Sequence, residues 1–287
     1  MPCIALIQQH ASLDVDENLA RALAAVDRAA AGGARIVCFA ELAFTPFYPQ
    51  RVADDRKENV LDLAEPVPGP TTELFATKAR DHNLVIVLNL YERDGEHAYD
   101  TSPVIDADGT LLGVTRMVHI TDYPSFREQG YYAPGDRGAP VYHTRYGAVG
   151  VAICYDRHYP EYMRALALGG AEVVFVPQAG TVGEWPDELY EAEVRVAAFQ
   201  NGYFAALCNR VGVEGAMTFA GESFACAPDG RVIARAGRGS DAVVMFDADF
   251  TEVERSDARR LFLRDRRPEL YGAWWNGKPN RGADGNR

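Results

Sequence analysis

The sequence predicts a mixed α/β protein in which two β-sheets pack face to face and helices cover their outer surfaces. Apolar runs with the length of buried strands alternate along the chain with segments of helical periodicity. Some of these strands lead into helices, whereas others are joined by hairpin turns at Asp108-Gly109 and Asp229-Gly230. No internal repeat or linker divides the 287 residues, so we predict a single domain over residues 1–260.

The first half of the chain is predicted to alternate strands with helices. One helix has an apolar face from Leu19 to Ala30 and stops at Gly32-Gly33. A second helix follows Pro68-Gly69-Pro70 and continues through Lys78. The predicted strands of this half cover residues 3–8, 36–40 and 84–88 and the hairpin at 104–111.

The second half continues the same pattern. Strands are predicted at residues 148–153, 173–177, 203–208 and 242–246, and helices at 161–168 and 187–201. A hairpin at 228–230 leads into a short strand at 232–233. Residues 261–287 are rich in Arg, Trp and Gly with little periodicity, so we predict a C-terminal tail that packs on the domain or on a partner subunit.

Composition excludes several classes of partner. A net charge of −12 and a pI near 5.0 argue against nucleic-acid and anionic-membrane partners, which require a basic surface. No apolar run approaches the roughly 20 residues that span a bilayer, and the N-terminus has the pattern of a strand rather than of a signal peptide. Five scattered cysteines indicate reduced thiols, which predicts a cytoplasmic protein. No phosphate-binding glycine loop or metal-ligand spacing of histidines is present, so no cofactor or metal is expected.

Cys154 is the residue around which a site is predicted. An apolar run ends in this cysteine and then turns through charged residues into a predicted helix start at Glu161. A thiol at the carboxyl end of a strand, next to the positive end of a helix, is expected to have a lowered pKa and to be nucleophilic. The alternative is a buried structural cysteine.

Glu41 is the second candidate because it directly follows an apolar strand. Apolar neighbours disfavour the charged form of a carboxyl group, which raises its pKa into the range of a general base. The alternative is a surface glutamate at the start of a loop. The segment 116–120 and Glu128 are further candidate positions.

Several short motifs together resemble the nitrilase or carbon–nitrogen hydrolase superfamily. They occur in the family's order across most of the chain: Phe39-Ala40-Glu41-Leu42, residues 113–120, Glu128 with Tyr132-Ala133-Pro134-Gly135-Asp136, Ile153-Cys154-Tyr155-Asp156, Tyr159-Pro160-Glu161, Asn209-Arg210-Val211-Gly212 and Gly221-Glu222-Ser223. The resemblance implies a four-layer α-β-β-α sandwich, a homo-oligomer built on a dimer, and thiol-based hydrolysis of non-peptide C–N bonds.

The resemblance also assigns roles by motif. It implies that Cys154 is the nucleophile, that Glu41 is the general base, and that Glu128 is a second glutamate that orients neighbouring groups and contacts substrate. The backbone N–H of Tyr155 would help to hold the oxyanion. His119 is interpreted as a structural hydrogen-bonding residue beside the site rather than as a catalytic one.

Met117 occupies the position of the family's catalytic lysine. The pattern resembles Arg-Lys-x-His, and this chain has Arg116-Met117-Val118-His119. Arg116 is a poor substitute because adjacent strand residues face opposite sides and arginine does not release its proton. Three interpretations follow: a natural member with weakened or altered chemistry, a binding-only relative, or a deliberately disabled variant. The near-isosteric exchange favours the last of these.

The residues after the nucleophile most resemble the N-carbamoyl-amine branches, which include β-ureidopropionases, N-carbamoyl-amino-acid hydrolases and carbamoylputrescine amidases. Arg157 could meet a substrate carboxylate through a two-pronged hydrogen bond, which predicts an N-carbamoyl amino acid, or it could pair with a neighbouring acid such as Asp156 or Glu161. The acidic stretch 184–193 could instead present carboxylates to the amine of carbamoylputrescine, although a solvated helix face is the alternative. A nitrile substrate, or acyl transfer to an amine, remains open because the thioester step is shared.

Overall fold

The structure is a computed structural model that describes residues 1–55 and 59–275. The helices are α1 (Val15–Ala31), α2 (Pro70–His82), α3 (Pro160–Leu168), α4 (Leu189–Asn201), α5 (Thr251–Arg255) and α6 (Pro268–Trp275). The strands are β1 (Cys3–Gln8), β2 (Ile36–Phe39), β3 (Val85–Val87), β4 (Leu90–Asp94), β5 (His97–Ile105), β6 (Leu111–Arg116), β7 (Val141–Thr144), β8 (Gly147–Val151), β9 (Val173–Gln178), β10 (Phe204–Asn209), β11 (Val211–Glu214), β12 (Met217–Ala220), β13 (Phe224–Cys226), β14 (Val232–Arg235) and β15 (Ala242–Asp247).

Two mixed sheets form the centre of the molecule. The first has the order β15-β1-β2-β3-β5-β4, with β6 paired to β5, and the second has the order β14-β13-β10-β9-β8-β7. Strands β1, β2 and β3 are parallel, as are β8, β9 and β10, and antiparallel strands flank each set. Each pair of adjacent parallel strands is connected through one of the predicted helices α1 to α4, because a parallel neighbour requires a crossover connection.

Alternating side chains place each sheet between two apolar layers. In β1, Ile4 and Leu6 pack between the sheets with Phe175 and Phe204 of the second sheet, whereas Ile7 faces the helix side. The clusters outside the sheets contain α1 and α2 on one side and α3 and α4 on the other. This alternation follows from the period of two in a strand. The predicted α-β-β-α order of layers is confirmed.

The N-terminal helix α1 shows how local sequence sets the bounds of an element. Asp14 caps it by accepting a hydrogen bond from the backbone N–H of Glu17 at 3.1 Å. The backbone N–H of Gly32 bonds back to the last turn, and Gly33 has φ +93°, which favours glycine. The predicted stop at Gly32-Gly33 is therefore confirmed.

Sequence periodicity missed strands β4, β7, β11 and β12 and the first part of β5 (residues 97–103). These segments carry polar residues that break the apolar pattern of a strand, and each of these strands pairs with its neighbour in sequence through a hairpin. The domain boundary at residue 260 stays a prediction, and residues 276–287 of the predicted tail lie outside the described residues. Of the helices in the described parts of the chain, none has both the length and the apolar character required to cross a membrane.

Candidate active site

Glu41 lies in the turn that follows β2 and is fully buried. Leu42 has φ +45°, an uncommon conformation for a branched residue, and its N–H donates to Asn89 Oδ1 at 2.7 Å. Arg210, between β10 and β11, donates from Nη1 to the carbonyl oxygen of Glu41 at 3.0 Å. Groups from both sheets therefore hold this turn, so Glu41 is no surface glutamate.

Cys154 follows β8 at the first residue of a 3₁₀ turn, Cys154–His158. Its φ of +45° is strained for a non-glycine residue, and its side chain is buried. Burial is the main cause that raises the pKa of its thiol well above the ordinary value, and the nearby Glu41 and Glu128 carboxylates add to it. The expectation of a lowered thiol pKa is wrong, because burial and two acids outweigh the turn and the opposing charge of Arg157.

Glu128 completes a buried group of three side chains. It begins the 3₁₀ turn Glu128–Gly130, and its carboxyl group is fully buried, as is that of Glu41. Burial raises the pKa of Glu41 from 4.5 to about 8, and the charge of Glu128 adds to this, whereas interactions with the Cys154 thiol and with Asp100 act in the opposite direction. The structure thus brings together Cys154, Glu41 and Glu128 from three separate parts of the chain.

Met117 lies in the same buried apolar cluster as Cys154. Its N–H donates to the carbonyl oxygen of Asp100 at 2.9 Å, directly after β6. Arg116 points the opposite way, as strand alternation predicts, and its guanidinium bonds Glu92 at 2.7 Å and stacks on Tyr99.

The one lysine among the described residues does not replace Met117. Lys78 lies at the surface and pairs with Asp27 at 2.5 Å. Lys57 and Lys278 lie outside the described residues.

Arg157 is buried, and two of the three nitrogens of its guanidinium already donate hydrogen bonds within the protein. Nη1 donates to the carbonyl oxygen of Cys154 at 2.9 Å and to Gln178 Oε1 at 2.6 Å, and Nε donates to Glu193 Oε2 at 3.1 Å. One of these three contacts is the ion pair of the alternative interpretation, with Glu193 as the acid rather than Asp156 or Glu161. Nη2 is buried without a partner among the described residues, which leaves one donor nitrogen rather than the two of a two-pronged contact for a substrate carboxylate.

His119 and Tyr155 flank the Cys154 turn. His119 Nδ1 lies 2.7 Å from Asp156 Oδ1, and its ring stacks on Tyr159 with centroids 3.4 Å apart. Asp156 also accepts the backbone N–H groups of Val118 and His119, so it fixes the segment that carries Met117. Tyr155 packs against the cluster between the sheets. The oxyanion role of its N–H stays a prediction.

Two buried residues of the site were not identified from the sequence. Asp100, on β5, is fully buried, and burial followed by the Glu41 charge raises its pKa well above the ordinary value. The Tyr132 hydroxyl is buried near Asp100, Glu128 and Glu41, and burial followed by these acids raises its pKa. The sequence of residues 97–103 has the polar composition of a loop and lacks the alternation of a strand, so it does not indicate that Asp100 is buried. Tyr132 lies in a family motif, which was the available signal.

A further acidic residue, Glu184, lies beside the site. Glu184 accepts hydrogen bonds from the hydroxyls of Tyr123, at 2.6 Å, and Tyr190, and from the N–H of Thr181 at 3.0 Å. Its charge raises the pKa of Glu128, which shows its proximity to the buried acids. Tyr190 also stacks on the Arg157 guanidinium and lines a cavity of about 460 Å³.

Comparison with known proteins agrees with this geometry. The sequence profile described as "Carbon-nitrogen hydrolase" matches residues 3–257. The chain is 35% identical to an N-carbamoylputrescine amidase of Solanum lycopersicum, with 93% of each chain covered. It is 34% identical to a citrullinase of Francisella tularensis, covering 93% of this chain and 96% of that one. It is also 34% identical to a beta-ureidopropionase of Arabidopsis thaliana, covering 86% of this chain and 64% of that one.

Solved structures show the same architecture. A carbon-nitrogen hydrolase from Helicobacter pylori superposes with a TM-score of 0.88 at 27% identity, covering 96% of this chain and 98% of that one. A glutamate-to-glutamine variant of the amidase from Nesterenkonia sp. AN1 superposes with a TM-score of 0.80 at 25% identity, covering 95% and 96%. That variant carries the acetamide moiety of fluoroacetamide covalently on its active-site cysteine.

Proposed function

Because the chain belongs to the carbon–nitrogen hydrolase family, we propose that it is an amidohydrolase that cleaves the terminal ureido group of an N-carbamoyl amino acid. The relatives support a ureido substrate: N-carbamoylputrescine, citrulline and β-ureidopropionate differ in their charged ends but share this group. The observation that carries the proposal is the meeting of Cys154, Glu41 and Glu128 in one buried group.

Cys154 is the proposed nucleophile and Glu41 its base. Glu41 accepts the thiol proton while the sulfur attacks the ureido carbon, and the N–H of Tyr155 holds the developing oxyanion. Glu41 then gives that proton to the leaving nitrogen, so ammonia departs and a carbamoyl thioester remains. Water attacks this thioester after Glu41 takes its proton, and the thiol is restored. The carbamate that leaves breaks down to the free amine and carbon dioxide.

Two groups near the site bear on the charged end of the substrate. The free Nη2 of Arg157 supports a substrate carboxylate, and it is the reason that the N-carbamoyl amino acid comes first. Glu184 supports the second candidate, N-carbamoylputrescine, because a carboxylate next to the buried acids could receive an ammonium group. Glu128 would orient the ureido end in both cases.

Turnover of ureido compounds tests the proposal. The protein is incubated with N-carbamoyl-β-alanine, N-carbamoylputrescine and citrulline, and ammonia release is measured against Cys154→Ala. Because Met117 stands where the family pattern has a lysine, the site lacks that cation and turnover is expected to be weak. Met117→Lys is therefore assayed in parallel. If neither the parent protein nor Met117→Lys releases ammonia from these compounds, the ureido substrate class is contradicted.

Glu184→Gln separates the two substrate candidates. This variant keeps hydrogen-bonding atoms at residue 184 but removes the charge. It should lower kcat/KM for N-carbamoylputrescine about tenfold if the ammonium binds there, and leave N-carbamoyl-β-alanine nearly unaffected. Glu73→Gln, at an exposed glutamate in the first turn of α2, is the matched control. Equal losses for both substrates would contradict a role of Glu184 in selecting the substrate.

A binding-only relative is the alternative from another class, and Met117 is the observation that favours it. Thiol reactivity distinguishes the two. A catalytic thiol predicts that iodoacetamide labels Cys154 faster than Cys208, which is fully buried between the sheets. Equal rates would support an inert site.

We also propose a cytoplasmic, dimer-based homo-oligomer. The five cysteines are free, which supports a reducing compartment. Two exposed apolar side chains of α4, Val196 and Phe199, support a covered face. We propose that the tail from residue 261 onward packs on this face or on a partner subunit. Light scattering that gave a monomeric mass would contradict the oligomer.

A further inference from the structure

Asp100 and the turn that carries Glu41 are joined through a single amide side chain. Asn89 Nδ2 donates to Asp100 Oδ1 at 2.6 Å, while Asn89 Oδ1 accepts the N–H of Leu42 at 2.7 Å. The pairing of β5 with β6 brings the backbone of Asp100 next to Met117. Asp100 therefore lies where the Glu41 turn, Asn89 and Met117 meet.

If Asp100 and Glu41 are both ionised, their carboxylate oxygens outnumber the hydrogen-bond donors available to them. Asp100 Oδ2 and both carboxylate oxygens of Glu41 are buried, and none has a well-aligned partner among the described residues. Two adjacent carboxylates cannot both hold a charge in a dry site, so one of them retains a proton.

We propose that in the reactive form Asp100 keeps this proton on Oδ2 and donates it in a hydrogen bond to the ionised carboxylate of Glu41, at a site where residue 117 provides no cation. Oδ1 already accepts from Asn89, which leaves Oδ2 as the donor. The pair then carries one negative charge in place of two. Asp100 is a positioning residue in this scheme, because it acts on the substrate through Glu41.

The other groups that face the pair reinforce this assignment. Glu128 faces the pair from another element and Asp156 adds a further acid, and a charge on either disfavours a second ionised acid. The Cys154 thiol and the Tyr132 hydroxyl also face the pair, and the thiol favours the ionised form of Glu41.

Arg210 is the cation that acts on Glu41. Its guanidinium is bonded to Glu214 and to the carbonyl oxygens of residues 41, 42 and 45, so little of its charge is free to neutralise Asp100.

The inference rests on the proposed role of Glu41 as a base, but its test does not need a substrate. The rate at which iodoacetamide alkylates Cys154 is measured against pH in the full-length protein, by mass spectrometry of the Cys154 peptide. This rate reports the ability of Glu41 to take the thiol proton whether or not ureido compounds are turned over. Failure of the proposed function would therefore leave this measurement intact.

Asp100→Ala removes the donor, and alkylation near neutral pH should slow about tenfold or more, since a hydrogen bond from a neutral donor stabilises the ionised base. Asp100→Asn restores a neutral donor of the same shape, so it should recover most of the rate with a midpoint close to that of the parent protein. Ser102→Ala, which removes another partner of Asn89, is the matched control and should change neither rate nor midpoint.

Two results would overturn the inference. If Asp100 is ionised, Asp100→Asn removes a neighbouring negative charge, and the midpoint of alkylation falls by about one pH unit or more with a faster rate. If Asp100→Ala reacts like the parent protein, the two acids are not coupled. Should Asp100→Ala fail to fold, the midpoint of Asp100→Asn alone decides between a neutral and an ionised Asp100.

Discussion

Arg210 Nη1 donates a hydrogen bond at 3.0 Å to the backbone carbonyl oxygen of Glu41, 169 residues away in the sequence. The same guanidinium bonds the carbonyl oxygen of Thr45 and the carboxylate of Glu214, and it is fully buried. A residue at the end of β10 in the second sheet therefore fixes the position of an acid at the end of β2 in the first sheet. The arrangement links the stability of the fold directly to the geometry of the site.

Arg210→Met tests this link. The substitution removes three backbone contacts and leaves the Glu214 charge buried, so the free energy of unfolding should fall by about 3–5 kcal/mol. Adding Glu214→Gln removes the uncompensated charge and should recover part of the loss without restoring activity, because the Glu41 turn stays unsupported. Urea unfolding and ammonia release measure the two effects. Full recovery of activity in the double variant would contradict a positioning role for Arg210.

The raised pKa of Glu41 predicts a pH-dependent cost to stability. Between pH 4.5 and about 8 the unfolded chain loses this proton while the folded protein keeps it, so the free energy of unfolding falls as pH rises. The slope is at most about 1.4 kcal/mol per pH unit and disappears above pH 8. Glu41→Gln removes the titration, so it should stabilise the protein more at pH 8 than at pH 5.

Urea unfolding at several pH values measures this difference. Glu73→Gln, at an exposed glutamate in the first turn of α2, is the control and should follow the parent protein. If the curves of Glu41→Gln and the parent run parallel between pH 5 and 8, the pKa of Glu41 is not raised.

Asp156→Asn should displace the segment that carries Met117. The Asp156 carboxylate accepts the N–H groups of Val118 and His119 as well as a hydrogen bond from the His119 ring, and it is fully buried. An amide has one acceptor oxygen in place of two, so at least one buried donor loses its partner at a cost of about 1–3 kcal/mol. A lower melting temperature together with slower alkylation of Cys154 is expected. A change in stability with unaltered alkylation would show that this segment does not position the site.

The sequence was sufficient to predict the order of layers and to select three side chains that the fold brings together, but it did not predict their pKa shifts. Glu41 and Cys154 end apolar strands, which is a pattern visible in one dimension, and family motifs marked Glu128. The pairing of Asp100 with Glu41 depends on β5, whose polar first half has no strand periodicity. The predicted direction of the Cys154 pKa shift was wrong, because burial and the approach of carboxylates from distant parts of the chain are properties of the folded protein.

Residue 117 provides the most direct test of how this site works. A lysine at this buried position would place a cation near two acids and a thiol, which should lower the pKa of Glu41 from about 8 and stabilise both thiolate and oxyanion. Met117→Lys should therefore increase turnover about 10²–10³-fold, by analogy with the loss of one oxyanion donor, and shift the pH–rate profile towards lower pH. Met117→Leu conserves volume without charge and should behave as the parent protein does. If the parent protein shows no turnover and Met117→Lys does, the chain is a disabled variant. If the parent protein shows weak turnover that increases in Met117→Lys, it is a naturally weakened enzyme. An active parent that gains nothing would show that this site works without the cation, because its acids already share the proton that a lysine would otherwise help to control.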